Sequence, residues 1–241
     1  MSMRESVVQE TTKQLNLFIL TDVSGSMEGT KITTVNETCA ELIPEIKEVG
    51  TKESITIKQN VMSFSDAPQW MYPEPVDVED FEWKKLVADG WTSMGSAFRE
   101  LDDKLSKEKF LKAKSACAAP VIFLMSDGQP TDEYKTALEA LWQKNWFKHA
   151  IKVAIAIGND ANQDVLAEFT GDPKAVITTH TPEALREWIK IVTMCSTQIG
   201  SKSYTHGGMV KDKNEELIEQ IQIAQEDPDL AQLSTSADEW E

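Results

Sequence analysis

Three short apolar runs constrain this chain more than any other feature. Leu15–Leu20, Val121–Met125 and Ile151–Ile157 are near-continuous hydrophobic stretches of strand length, and each ends in a polar or glycine turn. A strand that alternates polar and apolar residues keeps one wet face. A continuous apolar run keeps none, so these segments call for protein on both sides. The stretches between them have helical spacing. From Lys31 to Val49 the residues Ile32, Val35, Cys39, Leu42, Ile43 and Ile46 recur at that spacing, with Pro44 placed to kink or shorten the helix. Ser96 to about Lys107 puts Ala97, Leu101 and Leu105 on one face, and Tyr134–Asn145 and Val165–Phe169 read as further helices. Thr181-Pro182-Glu183 opens a final core helix, with Thr181 as N-cap and Pro182 at the first helical position. Ser54–Phe64 and Ala175–Thr178 read as additional strands. Asp66-Ala67-Pro68 turns into Trp70-Met71-Tyr72, an edge strand joined by a hairpin, and a short helix is expected around Trp83–Val87. Strands alternating with helices predict an α/β fold, a mostly parallel sheet covered on both faces.

The same pattern sets boundaries. Residues 1–14 are a polar lead-in, residues 15–199 the core domain, and residues 200–241 an appendage. That appendage comprises a linker (Gly200-Ser201-Lys202-Ser203 and Gly207-Gly208), a short amphipathic helix over Asn214–Gln225, and an acidic, disordered tail from Ser234 to Glu241. The formal net charge of −16 repels phosphate backbones and anionic lipid, which argues against nucleic acid or a membrane surface as partner. No apolar run is long enough to span a bilayer, and the N-terminal residues lack the apolar stretch of a secretory leader. Cys39, Cys117 and Cys195 form no CxxC pair and read as buried, reduced thiols, which points to a cytoplasmic protein.

Two motifs carry chemistry. Asp22-Val23-Ser24-Gly25-Ser26-Met27 follows the first apolar run, and Ser126-Asp127-Gly128 follows a later one. Both stand where a parallel strand ends, the edge at which open α/β sheets bind ligands. Asp22 and Asp127 supply carboxylates; Ser24 and Ser26 supply hydroxyls at alternating positions, and Gly25 allows close backbone approach. No His or Cys is near. An oxygen-only set of this kind suits a hard cation, Mg²⁺ first, with Mn²⁺ and then Ca²⁺ as alternatives. Two aspartates only neutralise a divalent ion, which therefore stays electrophilic towards a further anionic ligand.

With a threonine at Thr92 in the loop Gly90-Trp91-Thr92-Ser93-Met94-Gly95, these motifs match all three parts of the metal-ion-dependent adhesion site of von Willebrand factor A domains. The resemblance runs from about Leu15 to Ile199. It implies a Rossmann-like sheet with one antiparallel edge strand. It assigns Ser24, Ser26 and Thr92 to direct coordination, Asp22 and Asp127 to coordination directly or through water, and an open position to a carboxylate from a partner protein. The family usually has glycine where this chain has Trp91. Within the family, Ser126–Asp132 and the Thr92 loop look most like bacterial TerY-type proteins of tellurium-resistance and stress-response systems, stand-alone cytoplasmic domains associated with kinase and phosphatase partners. Met27, Trp91 and Gln129 adjoin the ligand loops and are the expected rim of the partner site.

Blander readings stand beside these. Ser24 or Ser26 alone is an ordinary helix cap. His149, His180 and His206 fit solvent-facing or capping roles, Trp142 and Trp146 fit packing, and Asp77–Glu82 fits a solvated loop. The alternative function is a Mg²⁺-dependent phosphohydrolase with Asp22 as nucleophile. Such enzymes typically carry a second acid two residues on, where this chain has Ser24. Nucleophile-elbow and P-loop patterns are both absent. The favoured reading is a non-enzymatic, metal-dependent binding module.

Overall fold

The computed structural model describes residues 13–113, 116–202, 212–234 and 240. Most of the lead-in, most of the linker and most of the acidic tail lie outside the described residues. The strands are β1 (Lys13–Asp22), β2 (Ile55–Phe64), β3 (Pro68–Trp70), β4 (Val76–Asp77), β5 (Val121–Ser126), β6 (Ile151–Ile157) and β7 (Val176–Thr179). The helices are α1 (Thr30–Glu41), α2 (Ile43–Lys52), α3 (Met94–Lys104), α4 (Lys135–Gln143), α5 (Asn145–Lys148), α6 (Gln163–Thr170), α7 (Pro182–Ser201), α8 (Lys213–Gln225) and α9 (Pro228–Ser234).

They form one sheet in the order β3-β2-β1-β5-β6-β7. The pairs β1–β2, β1–β5, β5–β6 and β6–β7 are parallel. Edge strand β3 pairs antiparallel to β2, and the two-residue β4 adds a second short antiparallel stretch along the same strand. This is the Rossmann-like arrangement expected. The chain leaves β1 to build β2 on one side and later returns to build β5 on the other, so the order reverses between β1 and β5. That crevice is the topological switch point.

Successive β1 residues explain the two helical layers. Leu15, Leu17 and Ile19 join one core with α1, α2, α7 and α8, while Phe18 and Leu20 join a second with α3, α4 and α6. Strand β5 divides likewise, Val121, Phe123 and Met125 against Ile122 and Leu124. Side chains alternate across a strand, so a run buried on both faces is apolar at nearly every position. Within Leu15–Leu20 of β1 and Ile151–Ile157 of β6 the buried exceptions are Asn16 and Lys152.

Several elements differ from the sequence reading. The Lys31–Val49 helix is two, broken at Leu42, with Pro44 in the first turn of α2; there its missing N–H costs nothing. No helix forms at Trp83–Val87. The Asn36 side chain of α1 instead accepts from Trp83 Nε1 (2.9 Å) and Leu86 N (2.8 Å) and donates to Leu86 O (2.9 Å). One amide side chain thus bonds a segment that has no regular structure of its own. Thr181 caps α7 as expected, accepting from Ala184 N at 3.1 Å. Cys39 is buried, whereas Cys117 and Cys195 are partly exposed; all three are free. Among the described residues no helix is long and apolar enough to cross a membrane. Strand β1 includes Lys13 and Gln14, paired with Ile55 and Thr56. Helix α8 packs on α7 and β6, and its Leu217 and Ile221 are buried in the first core.

Candidate metal centre

The site is built where β1 and β5 end. Asp22 is the last residue of β1 and Asp127 directly follows β5; both are buried. After Asp22 the chain turns sharply into a single 3-10 turn over Gly25–Met27. Ser24 N donates to Asp22 Oδ1 at 2.8 Å and Ser126 Oγ to Asp22 Oδ2 at 2.6 Å. Ser26 Oγ lies 3.1 Å from Ser24 Oγ and donates to Asp127 Oδ1 at 2.7 Å. The two carboxylates are therefore linked through the Ser24 backbone N–H and the hydroxyls of Ser24 and Ser26, which still have lone pairs to offer.

Thr92 reaches the same place from a third loop. Gly25 N donates to Gly90 O (3.0 Å), Asp89 N to Val23 O (2.8 Å), and Thr131 N to Thr92 O (2.9 Å). These bonds tie the Thr92 loop to both aspartate loops. Gly90 has φ near +81°, and a Cβ there would lie 2.8 Å from Asp66 Oδ1, so only glycine fits. Asp66 Oδ1 in turn accepts from Trp91 N at 2.9 Å. The Trp91 backbone is thus held although its side chain departs from the family's usual glycine.

The convergence can be measured at Gly128. A Cβ added there would lie 3.1 Å from Thr92 Oγ1 and 3.8 Å from both Asp22 Oδ2 and Ser26 Oγ. Oxygens from three loops thus surround one small space that a side chain would fill. Among the described residues no three His, Cys, Asp or Glu side chains cluster to hold a metal; the oxygen set here depends on hydroxyls instead. Burial pushes the Asp22 carboxyl up to about 6; hydrogen bonds from Ser126 and Ser24 oppose the rise, and nearby Asp127 adds to it. Two buried acids beside donor hydroxyls fit a small hard cation, which would relieve their repulsion.

The model of the von Willebrand factor type A domain matches residues 16–190. This chain belongs to that family. Domains of this kind are metal-site adhesion and protein-interaction modules.

The solved structures it resembles include a von Willebrand factor type A protein from Catenulispora acidiphila, at 20% identity and TM-score 0.57, covering 77% of this chain and 43% of that one. Another is proximal thread matrix protein 1 from the mussel byssus with its adhesion motif occupied by zinc, at 16% identity and TM-score 0.59, covering 78% and 49%. A third is the pilus adhesin SpaC from Lactobacillus rhamnosus GG, at 10% identity and TM-score 0.61, covering 80% and 32%. This chain therefore spans less than half the length of each, and the likeness is one of fold. No curated protein is a significant match to the sequence.

Of the expected rim residues, Trp91 is 71% exposed and Gln129 is exposed. Gln129 Nε2 donates to Asp160 O at 3.1 Å, and its Oε1 accepts from Asn162 Nδ2. Met27 does not belong to the rim. It is fully buried in the first core, because the 3-10 turn directs it inward beneath the serines. Sequence reasoning passed over three residues that shape the site. Ser126 donates to Asp22, and its signal was a hydroxyl at the end of an apolar strand. Asp132 accepts from Gly95 N (2.8 Å) and Ser96 N (2.9 Å), fixing the first turn of α3 behind Thr92; an acid five residues beyond Asp127 gave no hint of that. Lys31 Nζ lies 2.6 Å from Asp127 Oδ2, a pairing with no signature in sequence spacing.

Proposed function

We propose that this domain is a metal-dependent protein-binding module in which Asp22, Ser24, Ser26, Thr92 and Asp127 hold one Mg²⁺, Mn²⁺ or Ca²⁺ being able to substitute. The observation that carries the reading is the convergence of Thr92, Asp22 and Ser26 oxygens around Gly128. When bound, the ion supplies an electrophilic position for one further anionic oxygen. The residues do the rest. Ser126 and the Ser24 backbone orient Asp22, Ser26 orients Asp127, and the Gly90 and Thr131 backbone bonds hold Thr92 in place. A partner's Asp or Glu completes the coordination, and exposed Trp91 and Gln129 contact the surface around it. An aromatic anchor beside a polar contact is the usual make-up of an energetic centre in an interface.

The finer reading is a cytoplasmic adaptor of a bacterial tellurite-resistance or stress-response system, TerY-like, whose partner is a kinase or phosphatase. It rests on the loop sequences Ser126–Asp132 and Gly90–Gly95. The acidic chain favours a protein partner over nucleic acid or lipid. The phosphohydrolase alternative lacks comparable support. A nucleophile must reach its substrate, but Asp22 is fully buried and each of its oxygens accepts a hydrogen bond. The test is capture of partners from the native host with and without EDTA, using wild type, Thr92→Ala and Trp91→Ala. A carboxylate-bearing partner lost in EDTA and in Thr92→Ala, and weakened in Trp91→Ala, is expected. Capture indifferent to chelation and to Thr92, or Asp22-dependent phosphoester hydrolysis, would overturn the reading.

A further inference from the structure

The chain brings a cation of its own into the candidate metal centre. Lys31 stands in the first turn of α1, and its Nζ is 2.6 Å from Asp127 Oδ2. The Lys31 side chain is only 14% exposed and that of Asp127 not at all. Ser26 Oγ occupies the other oxygen of the same carboxylate. A second group bears on this lysine. Trp240, near the end of the chain, lies over the ammonium with its ring centroid 5.9 Å from Lys31 Nζ, and packs against the first core. Its indole Nε1 is buried and meets no hydrogen-bond partner among the described residues.

We propose that Lys31 is an intramolecular competitor for the Asp127 carboxylate, that Trp240 holds it there, and that metal loading requires the ammonium to withdraw. This rests on the metal-site reading above and adds its regulation. A divalent ion held by Asp22, Ser24, Ser26, Thr92 and Asp127 would have to share the Asp127 carboxylate with the Lys31 ammonium. Charges this close and this sheltered are poorly screened by salt. Attraction between an ammonium and an indole face favours the engaged position of Lys31. The indole N–H, buried without an acceptor among the described residues, works the other way, since burying an unmet donor is costly. Trp240 is therefore held firmly enough to bias Lys31 and loosely enough to leave. Coupling of this kind is reciprocal: whatever draws Trp240 away tightens metal binding, and metal binding loosens Trp240. Trp240 becomes a sensor of site occupancy and sets the metal concentration at which the partner site is armed.

The experiment is a calorimetric Mn²⁺ titration of the full-length chain, comparing wild type, Lys31→Met, Lys31→Gln, Trp240→Ala and Asp22→Ala. Lys31→Gln keeps a neutral donor to Asp127 and serves if Lys31→Met fails to fold. Removing the charge is expected to tighten Mn²⁺ binding about tenfold, within the usual range of coupling between sites. Trp240→Ala is expected to tighten it about two- to threefold, the scale of a partly exposed cation–π contact. Unchanged or weaker binding in both Lys31 variants, with wild type binding and Asp22→Ala silent, overturns the competitor and leaves the metal site standing. If wild type and Asp22→Ala are equally silent but the Lys31 variants bind, the competitor is supported in its strongest form. Silence in all five chains overturns both this proposal and the metal reading.

Discussion

Two of the buried charges, Asp22 and Lys152, stand at opposite edges of one sheet and have different surroundings. Asp22 ends β1 at the carboxyl edge, and Lys152 stands near the start of β6 at the amino edge. Burial shifts both towards neutrality, Asp22 up to about 6 and Lys152 down to about 8. Lys152 is enclosed by acceptors. Its Nζ donates to Phe147 O (3.0 Å) and Ala150 O (2.9 Å) and lies 4.8 Å from the Trp142 ring centroid and 5.2 Å from that of Phe147. Asp22 is surrounded by hydroxyls that can still accept, and by a second carboxylate that repels it. Burial of a charge is thus no mark of function by itself. The Lys152 environment closes on the charge and fastens the fold, with Asn214 of α8 bonded to Lys152 N and Ala150 O beside it. The Asp22 environment sets two carboxylates against the single ammonium of Lys31, which bonds Asp127 and not Asp22.

The largest effect that tests this contrast lies at the fastened edge. Leu217→Ala removes a fully buried α8 side chain and should cost about 2–5 kcal/mol in urea unfolding, with the stabilisation by Mn²⁺ unchanged. A cost below roughly 0.5 kcal/mol, the level of an ordinary surface substitution, would make α8 the separable appendage that its linker composition suggested. We propose instead that it be counted with the domain.

At the open edge, Gly128→Ala places a methyl among the three converging oxygens. Gly128 does not adopt a positive φ, so the metal-free fold should be retained. The response to Mn²⁺, about 2.7 kcal/mol at a hundredfold excess over Kd, should vanish in thermal melts. A normal Mn²⁺ response in this variant would put the ion elsewhere.

Asp22→Asn should separate function from stability. A carboxyl raised from 3.8 to about 6 binds its proton more tightly folded than unfolded. Its contribution is therefore favourable at acid pH and is lost as pH rises through that interval, a cost of about 3 kcal/mol at neutrality. In EDTA the variant should exceed wild type by roughly 1 kcal/mol or more at pH 7, with the gap closing towards pH 4, and should show no metal response. A variant less stable than wild type at pH 7 would mean that the hydrogen bonds to Asp22 outweigh its burial. The smallest effect belongs to Lys152→Met. Replacing an enclosed charge with an apolar side chain of similar length should change stability by about 1 kcal/mol or less at pH 7, with metal binding untouched.

How far the sequence could be read follows the same division. The central strands were legible because a segment buried on both faces is mostly apolar, as Val121–Met125 is throughout and Ile151–Ile157 is but for Lys152. The candidate ligands were legible because two of the three loops carry them at fixed local spacing. Legibility failed where a role arises only after folding. Strand β4 is two residues long and leaves no pattern. The segment at Trp83–Val87 forms no helix, and Asn36, nearly fifty residues earlier, supplies hydrogen bonds to it. Met27 adjoins Ser26 in sequence, which suggests the rim, but at the end of the 3-10 turn it is buried in the core. Lys31, four residues further on, looks like any exposed lysine of a first helical turn until α1 is set against Asp127.

The central claim, that the carboxyl edge between β1 and β5 holds the ion, is tested most directly by paramagnetic broadening. Substoichiometric Mn²⁺ is added to isotopically labelled protein and the loss of each amide signal is followed. The account predicts that Ser24, Gly25, Ser26, Thr92 and Gly128 disappear first, while Lys152, Asn214 and Leu217 at the opposite edge persist. Signals that all survive, or that vanish first around the acidic Asp77–Glu82 loop, would contradict it.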